Sequence, residues 1–255
     1  MEKNPRLIQS LKRAFLILDC FDDLNPRLQL NEIAQKVNLN INTTRGLVNT
    51  LLYFNYLGHD EMENSYYLGY AFIPKAQHVE EHTLNLVRTT IKPFLAELAN
   101  KYNMSARLQR VASGQLVTVY TEVPMNSRYL LMTRSTLPFP LHATSSGKVY
   151  LTYVDPKLQE EYLREASFTK FTDKTIQTED KLREEIKKIK ERGYALELDE
   201  INEGIGSIAF PLFSRQNKCY GTISLSSSTE EILDKEENIA KEVQSFIAGL
   251  KLSDD

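Results

Sequence analysis

The sequence predicts an α+β chain in two parts, a helical region closed by a β-hairpin and a longer region built on an antiparallel sheet. Three observations carry this. Apolar residues recur at helical spacing between Leu7 and Leu52. Two short strand-like runs around a polar turn follow them. From Ala106 onward, strand-like runs joined by short turns alternate with amphipathic helices.

Leu7, Leu11, Ala14, Phe15, Leu18 and Phe21 define a first helix from about Arg6 to Phe21, broken by Asp22 to Arg27 with Asn25 and Pro26. A short second helix covers Asn31 to Val37, with Asn31 placed to cap it and Glu32 against the positive end of its dipole. Asn38-Leu39-Asn40 makes a turn, and Asn40 can cap a third helix from about Ile41 to Asn55. Thr44, Leu47, Val48, Leu51 and Leu52 form the inner face of that helix; Asn42, Arg45, Gly46 and Asn49 form the outer one. Tyr56 to His59 and Ser65 to Gly69 read as strands around Asp60 to Asn64. Three helices and a hairpin in this order make a winged helix-turn-helix, expected to span 1–76.

A linker helix follows at 77–88 within a helical stretch from Tyr70 to about Arg88, and the second domain takes 89–255. Pro93 starts a new helix containing Phe94, Leu95, Leu98 and Ala99. Strands are expected at Ala106 to Val111, Gln115 to Val123 and Arg128 to Thr133. A loop with Pro138 and Pro140 then leads through Leu141 to Lys148 into an apolar helix, Val149 to Val154. Lys181 to Arg192 is a charged helix stopped by Gly193, and Tyr194 to Leu198 is a strand. Ser207 to Phe213 pairs with Cys219 to Ser226, and Ser228-Thr229-Glu230-Glu231 caps a last helix ending near Leu250.

Of the 255 residues, 42% are hydrophobic and 25% charged, which supplies apolar material for more than one core. The opening MEKNPRLIQS lacks the layout of a secretory signal, and no apolar run approaches the roughly 18 residues of a membrane span, so a cytoplasmic protein without membrane partners is expected. Cys20 and Cys219 show no metal or redox spacing and read as reduced core residues. The net charge of −3 is unusual for a protein that holds phosphates. Between Met1 and Ala76, eight basic residues cancel eight acidic ones, so any positive surface there comes from arrangement.

The sequence resembles the IclR family of bacterial transcription regulators over nearly its whole length. The resemblance is carried by Leu30-Asn31-Glu32-Ile33-Ala34, Asn42-Thr43-Thr44-Arg45 and Tyr66-Tyr67-Leu68-Gly69, and then by Leu141-His142-Ala143-Thr144-Ser145-Ser146-Gly147-Lys148, Arg192-Gly193-Tyr194-Ala195 and Ile208-Ala209-Phe210-Pro211-Leu212-Phe213. It implies a regulator, expected to act as a repressor, that binds double-stranded operator DNA as a homodimer or homotetramer. It also implies a C-terminal GAF-like effector-binding domain for a small organic acid or related metabolite. The DNA contacts it implies are Asn31, Asn42, Thr43, Thr44, Arg45, Asn49 and Tyr67. Its effector pocket would be framed by Ser145, Ser146, Asp199, Ser207, Ser224 and Ser226. The chain departs from the family in having Asn38 where glycine is common, Gly46 where a longer residue is usual and Tyr67 where arginine is frequent.

The residues themselves leave a second class open, a hydrolase-like enzyme whose N-terminal helices only dimerise it. His142, Ser145 or Ser146, and Asp199 are the types of a catalytic triad, but no Gly-x-Ser-x-Gly elbow accompanies them, and no catalytic residue is assigned. Gly147-Lys148 lacks the first glycine and the Ser/Thr of a phosphate loop. His78 and His82 have the spacing of two metal ligands without a third nearby and read as a polar helix face, so neither metal nor cofactor is expected. Alternation puts Ser224 and Ser226 on one sheet face, which suits a polar pocket, while Ser228 suits a helix cap.

Overall fold

Asparagine supplies the punctuation of the N-terminal region. In the computed structural model, which describes residues 7–22, 24–83, 87–112, 115–125, 140–214 and 216–250, Asn38 turns the chain with φ +51. The Oδ1 of Asn40 then accepts the Thr43 N–H at 2.8 Å. These join α2 (Leu30–Lys36) to α3 (Ile41–Tyr53), after α1 (Gln9–Leu18). Asn31 does not cap α2: the helix begins a residue earlier, and the Glu32 carboxylate accepts the Gln29 N–H at 2.7 Å. Strands β1 (Leu57–Asp60) and β2 (Ser65–Leu68) form an antiparallel hairpin, and Leu28 bridges to Tyr66 at its edge.

Ile17, Phe21, Leu28, Ile33, Val48, Leu51 and Leu57 make the core of this unit. The first helix departs from expectation, because Leu7, Leu11 and Phe15 are more than half exposed. Half of its apolar face therefore lies outside that core. Helix α4 (Phe72–Thr83) follows.

The chain divides into two units, Met1–Asn85 and Leu86–Asp255. The expected boundaries at 76 and 88 fall within α4 and within a π-helical turn, Val87–Ile91, that runs straight into α5 (Lys92–Tyr102). The second unit holds β3 (Ser105–Ala112), β4 (Gln115–Glu122), α6 (Ser145–Tyr153), α7 (Pro156–Glu165), α8 (Glu179–Arg192), β5 (Ala195–Leu198), β6 (Ile205–Phe213), β7 (Cys219–Ser228) and α9 (Thr229–Gly249). The strand expected at Arg128 to Thr133 lies outside the described residues. Helix α6 begins at Ser145, four residues before the expected start, because the Thr144 hydroxyl caps it by accepting the Gly147 N–H at 3.1 Å. Helix α7 was not anticipated from the sequence; the Asp155 carboxylate accepts the Lys157 N–H at 2.8 Å, and Pro156 opens it.

The sheet has five antiparallel strands in the order β4-β3-β7-β6-β5. Cross-strand partners share a face, so Ala106, Leu108, Ile208, Phe210, Ile223 and Leu225 lie together, all fully buried. Gly206 shares this face and sits against Thr229 and Ile232 of α9, and a Tyr102–Glu242 hydrogen bond of 2.6 Å ties α5 to α9. The opposite face is polar, and α6 packs on it. Among the described residues no helix is long and apolar enough to cross a membrane.

Candidate functional site

On α3, Asn42, Arg45, Gly46 and Asn49 are exposed and Thr43 is partly buried. Thr44 corrects the expectation. It is fully buried and its hydroxyl donates to the Asn40 carbonyl at 3.1 Å, so it belongs to the core side. Asn31 is exposed at the start of α2, with its Oδ1 accepting the Glu32 N–H at 3.0 Å. In the hairpin the Tyr67 ring lies across Gly58, where a Cβ would come within 2.4 Å of it, and the Arg27 guanidinium stands 5.3 Å from the ring centroid. Arg27 is also paired with Asp60 at 2.7 Å and Glu63 at 3.3 Å, so its charge is largely answered within the hairpin. An exposed helical face of Asn and Arg beside a hairpin can enter a major groove and read base edges.

The second candidate site is the polar face of the sheet under the start of α6. Its residues form a grid. Glu197, Ser207, Ser226 and Ser105 make one row; Ala195, Ala209, Ser224 and Arg107 the next; Pro211, Thr222 and Gln109 the third. Val149 of α6 packs on Ala195 and Ala209, and the hydroxyls before it reach the rows on either side. Ser145 and Ser207 are 2.7 Å apart; since Ser207 donates to Glu197 at 3.1 Å, Ser145 is the donor to Ser207. Ser146 donates to the Gln109 Oε1, which also accepts the Thr222 hydroxyl at 3.0 Å. Arg107 Nη1 donates to Ser226 at 2.9 Å.

The charges here are buried. Lys148 pairs with Glu200, and the Glu197 carboxylate accepts the Glu200 and Ile201 N–H groups at 2.9 and 3.3 Å. Burial raises the Glu197 carboxyl above its ordinary range against the pull of those bonds. It also lowers the Arg107 guanidinium to about 10, still charged at neutral pH.

Ser145, Ser146, Ser207, Ser224 and Ser226 are thus brought onto one face. Asp199 is not with them. It stands just beyond β5 at φ +63, and its carboxylate takes Lys174, the Thr229 hydroxyl and the Gly204 N–H. Its work is to close the β5–β6 connection. Sequence reasoning missed Arg107, Gln109, Thr222 and Glu197. Their alternation with Ala106, Leu108, Ile223 and Leu198 was the available signal, although the same pattern describes a sheet with one solvated face.

A triad is not assembled. His142 Nδ1 lies 3.2 Å from the Tyr162 hydroxyl and Nε2 3.1 Å from the Thr169 carbonyl, so the partners of its ring are these and not Ser145, Ser146 or Asp199. No group of three or more His, Cys, Asp or Glu able to hold a metal occurs among the described residues. Cys20 and Cys219 are free thiols, and burial pushes the Cys219 thiol up to about 12.

A winged helix-turn-helix joined to a sheet domain with a buried polar face defines a DNA-binding regulator with a sensing domain. The model of the IclR helix-turn-helix domain matches residues 10–61, and that of the bacterial transcriptional regulator IclR C-terminal domain matches residues 81–250. The chain belongs to the IclR family of bacterial transcriptional regulators. It is 26% identical over 248 residues to the HTH-type transcriptional regulator XynR of Escherichia coli, covering 97% of this chain and 96% of that protein. It is 30% identical over 229 residues to the glycerol operon regulatory protein of Streptomyces coelicolor, covering 89% and 87%. An IclR transcriptional regulator from Alicyclobacillus acidocaldarius superposes with a TM-score of 0.79 at 22% identity, covering 94% of this chain and 99% of that one.

Proposed function

We propose that the protein is a cytoplasmic repressor that binds a two-fold operator as a homodimer or homotetramer, under the control of a small polar or carboxylate metabolite. On this reading residues 1–76 bind DNA, 77–88 link, and 89–255 sense the metabolite. Operator DNA as its binding partner supports the cytoplasmic reading. DNA contact falls to Asn31, Asn42, Thr43, Arg45, Asn49 and Tyr67. The exposed Leu7 just before α1, with Leu11 and Phe15 on it, gives a second copy an apolar stripe to cover.

The observation that carries the sensing reading is the set of buried hydroxyls, Ser145 and Ser146 at the start of α6 and Ser207 and Ser224 on the sheet face beneath it. An apolar core would fill that space at lower cost. Hydroxyls that both donate and accept, beside a helix start, suit a polar ligand.

A thermal-shift screen of metabolites tests it. A ligand at about 100 times its dissociation constant adds roughly 2.7 kcal/mol to the stability of the folded form. The expected result is a compound that shifts the melting temperature and alters operator affinity in wild type but does neither in the Ser146→Ala/Ser224→Ala protein, which still binds operator. A compound that acts equally on both proteins places the sensing site elsewhere.

A further inference from the structure

We propose that the tip of the β1–β2 hairpin is an electrostatic brake on DNA binding: Asp60, Glu61 and Glu63 repel the phosphates beside the groove that α3 enters, and Glu61 sets the strength. This rests on the DNA-binding reading above and adds to it a repulsive role for the hairpin tip.

Charge is the first argument. Three of the eight acidic residues between Met1 and Ala76 fall in the stretch from Leu57 to Leu68, which holds no lysine or arginine. The cation that answers them comes from outside the hairpin, where Arg27 Nη1 pairs with Asp60 at 2.7 Å and Glu63 at 3.3 Å. One guanidinium against three carboxylates leaves the tip negative. Glu61 is exposed and makes no ion pair among the described residues.

Construction is the second. The Asp60 Oδ1 accepts the Met62 and Glu63 N–H groups at 3.0 and 3.2 Å, so this carboxylate shapes the turn itself. The Glu63 N–H and the Arg27 guanidinium hold its carboxyl below the usual carboxylate range, and it is charged at neutral pH. Negative charge is thus part of how the hairpin closes, and the same carboxylates occupy the Arg27 guanidinium that a phosphate would otherwise attract.

Position is the third. Leu57 of β1 and Tyr66 of β2 pack in the core that Val48 and Leu51 of α3 also build, which fixes the hairpin beside the helix that reads DNA. Met62, between Glu61 and Glu63, is 98% exposed, so the tip projects into solvent. A helix seated in the major groove, about 12 Å wide, has a phosphate backbone on either side, and carboxylates within a Debye length of about 10 Å of it are repelled. Such repulsion is independent of sequence. It weakens binding to every duplex and leaves the contacts of α3 with base edges to decide which DNA is held.

The test uses full-length Glu61→Gln and Glu61→Lys proteins. Glu237→Gln on α9 is the control, changing net charge as Glu61→Gln does at an exposed position of the other unit. Fluorescence anisotropy across salt concentrations measures binding to a mixed-sequence duplex and to the tightest duplexes that wild type selects from a random library. Glu61→Gln should tighten binding to both about two- to fivefold at low salt, a gain that shrinks as salt rises. Glu61→Lys should tighten it further and steepen the slope of log K against log salt by about 0.9, the value of one added phosphate contact. Glu237→Gln should match wild type.

Two results overturn the brake while leaving DNA recognition in place. One is Glu61 variants that bind no better than wild type or Glu237→Gln. The other is a Glu61→Gln protein that holds the selected duplexes more weakly, which would make Glu61 an acceptor for a base. A wild-type protein that binds neither kind of duplex overturns the DNA-binding reading, and the brake with it.

Discussion

Gly46 sits in the middle of the exposed α3 stripe, between Asn42 and Asn49, and a Cβ there would meet nothing within 4 Å. No neighbour among the described residues requires the glycine. Gly46→Ala should therefore stabilise the helix by about 1 kcal/mol, seen as a higher urea midpoint. An unchanged or lower midpoint would reveal a constraint that the packing does not show. Arg45, next to it, is exposed and far from the core, so Arg45→Ala should leave the midpoint within about 0.5 kcal/mol of wild type. It should also cost about 1 to 3 kcal/mol of operator discrimination, measured by competition between operator and unrelated DNA. Undiminished selectivity would remove Arg45 from base reading. The outer face of α3 was legible because helical spacing alone sorts Asn42, Arg45 and Asn49 from Val48 and Leu51. Thr44 belonged by spacing to the inner face; reading it as a DNA contact gave the shared motif more weight than the spacing.

Helix starts were less legible than helix bodies, and α6 shows why. Its residues are buried from Ser145 to Thr152, so it has no polar stripe to set its phase, and its first turn of Ser, Ser and Gly resembles a loop. What fixes the start is tertiary. Gly147 lies so close to Leu141 that a Cβ would come within 2.4 Å of its Cα. Gly147→Ala should cost about 1 to 3 kcal/mol in urea denaturation through overpacking. In the segment before it, His142 Nε2 donates to the Thr169 carbonyl, which can only accept, and the neutral ring fits its other partner by accepting the Tyr162 hydroxyl at Nδ1. Burial lowers its pKa from the ordinary 6.5, so the unfolded chain binds this proton more readily than the folded one. Stability from His142 is thus complete above the ordinary value and is lost as pH falls below it. Comparing wild type with His142→Gln at about pH 7.5 and about pH 5 isolates this contribution, since the buried glutamates are common to both. Wild type should lose more stability on acidification than the variant; an equal loss would mean that His142 titrates alike in both states.

At the scale of the whole molecule, the order of elements was readable because hairpins and caps are local signals, while the membership of the polar face depended on register between strands distant in sequence. Arg107 meets Ser224 only through the β3–β7 pairing. Charge likewise acts through arrangement. The eight cations between Met1 and Ala76 are matched by eight anions, and Arg27 is held by Asp60 and Glu63, so one copy can neutralise few phosphates. On the proposed two-fold reading, tight operator binding takes two copies, joined through the apolar stripe at α1. The half-sites should lie about one helical turn, ~34 Å, or a multiple apart. Because each phosphate contact adds about 0.9 to the slope of log K against log salt, the slope for the intact operator should be near twice that for an isolated half-site. Hydroxyl-radical footprinting and binding titrations across salt concentrations measure both quantities. Protection of one unrepeated half-site by a monomer, with a single slope for both DNAs, would contradict two-fold recognition.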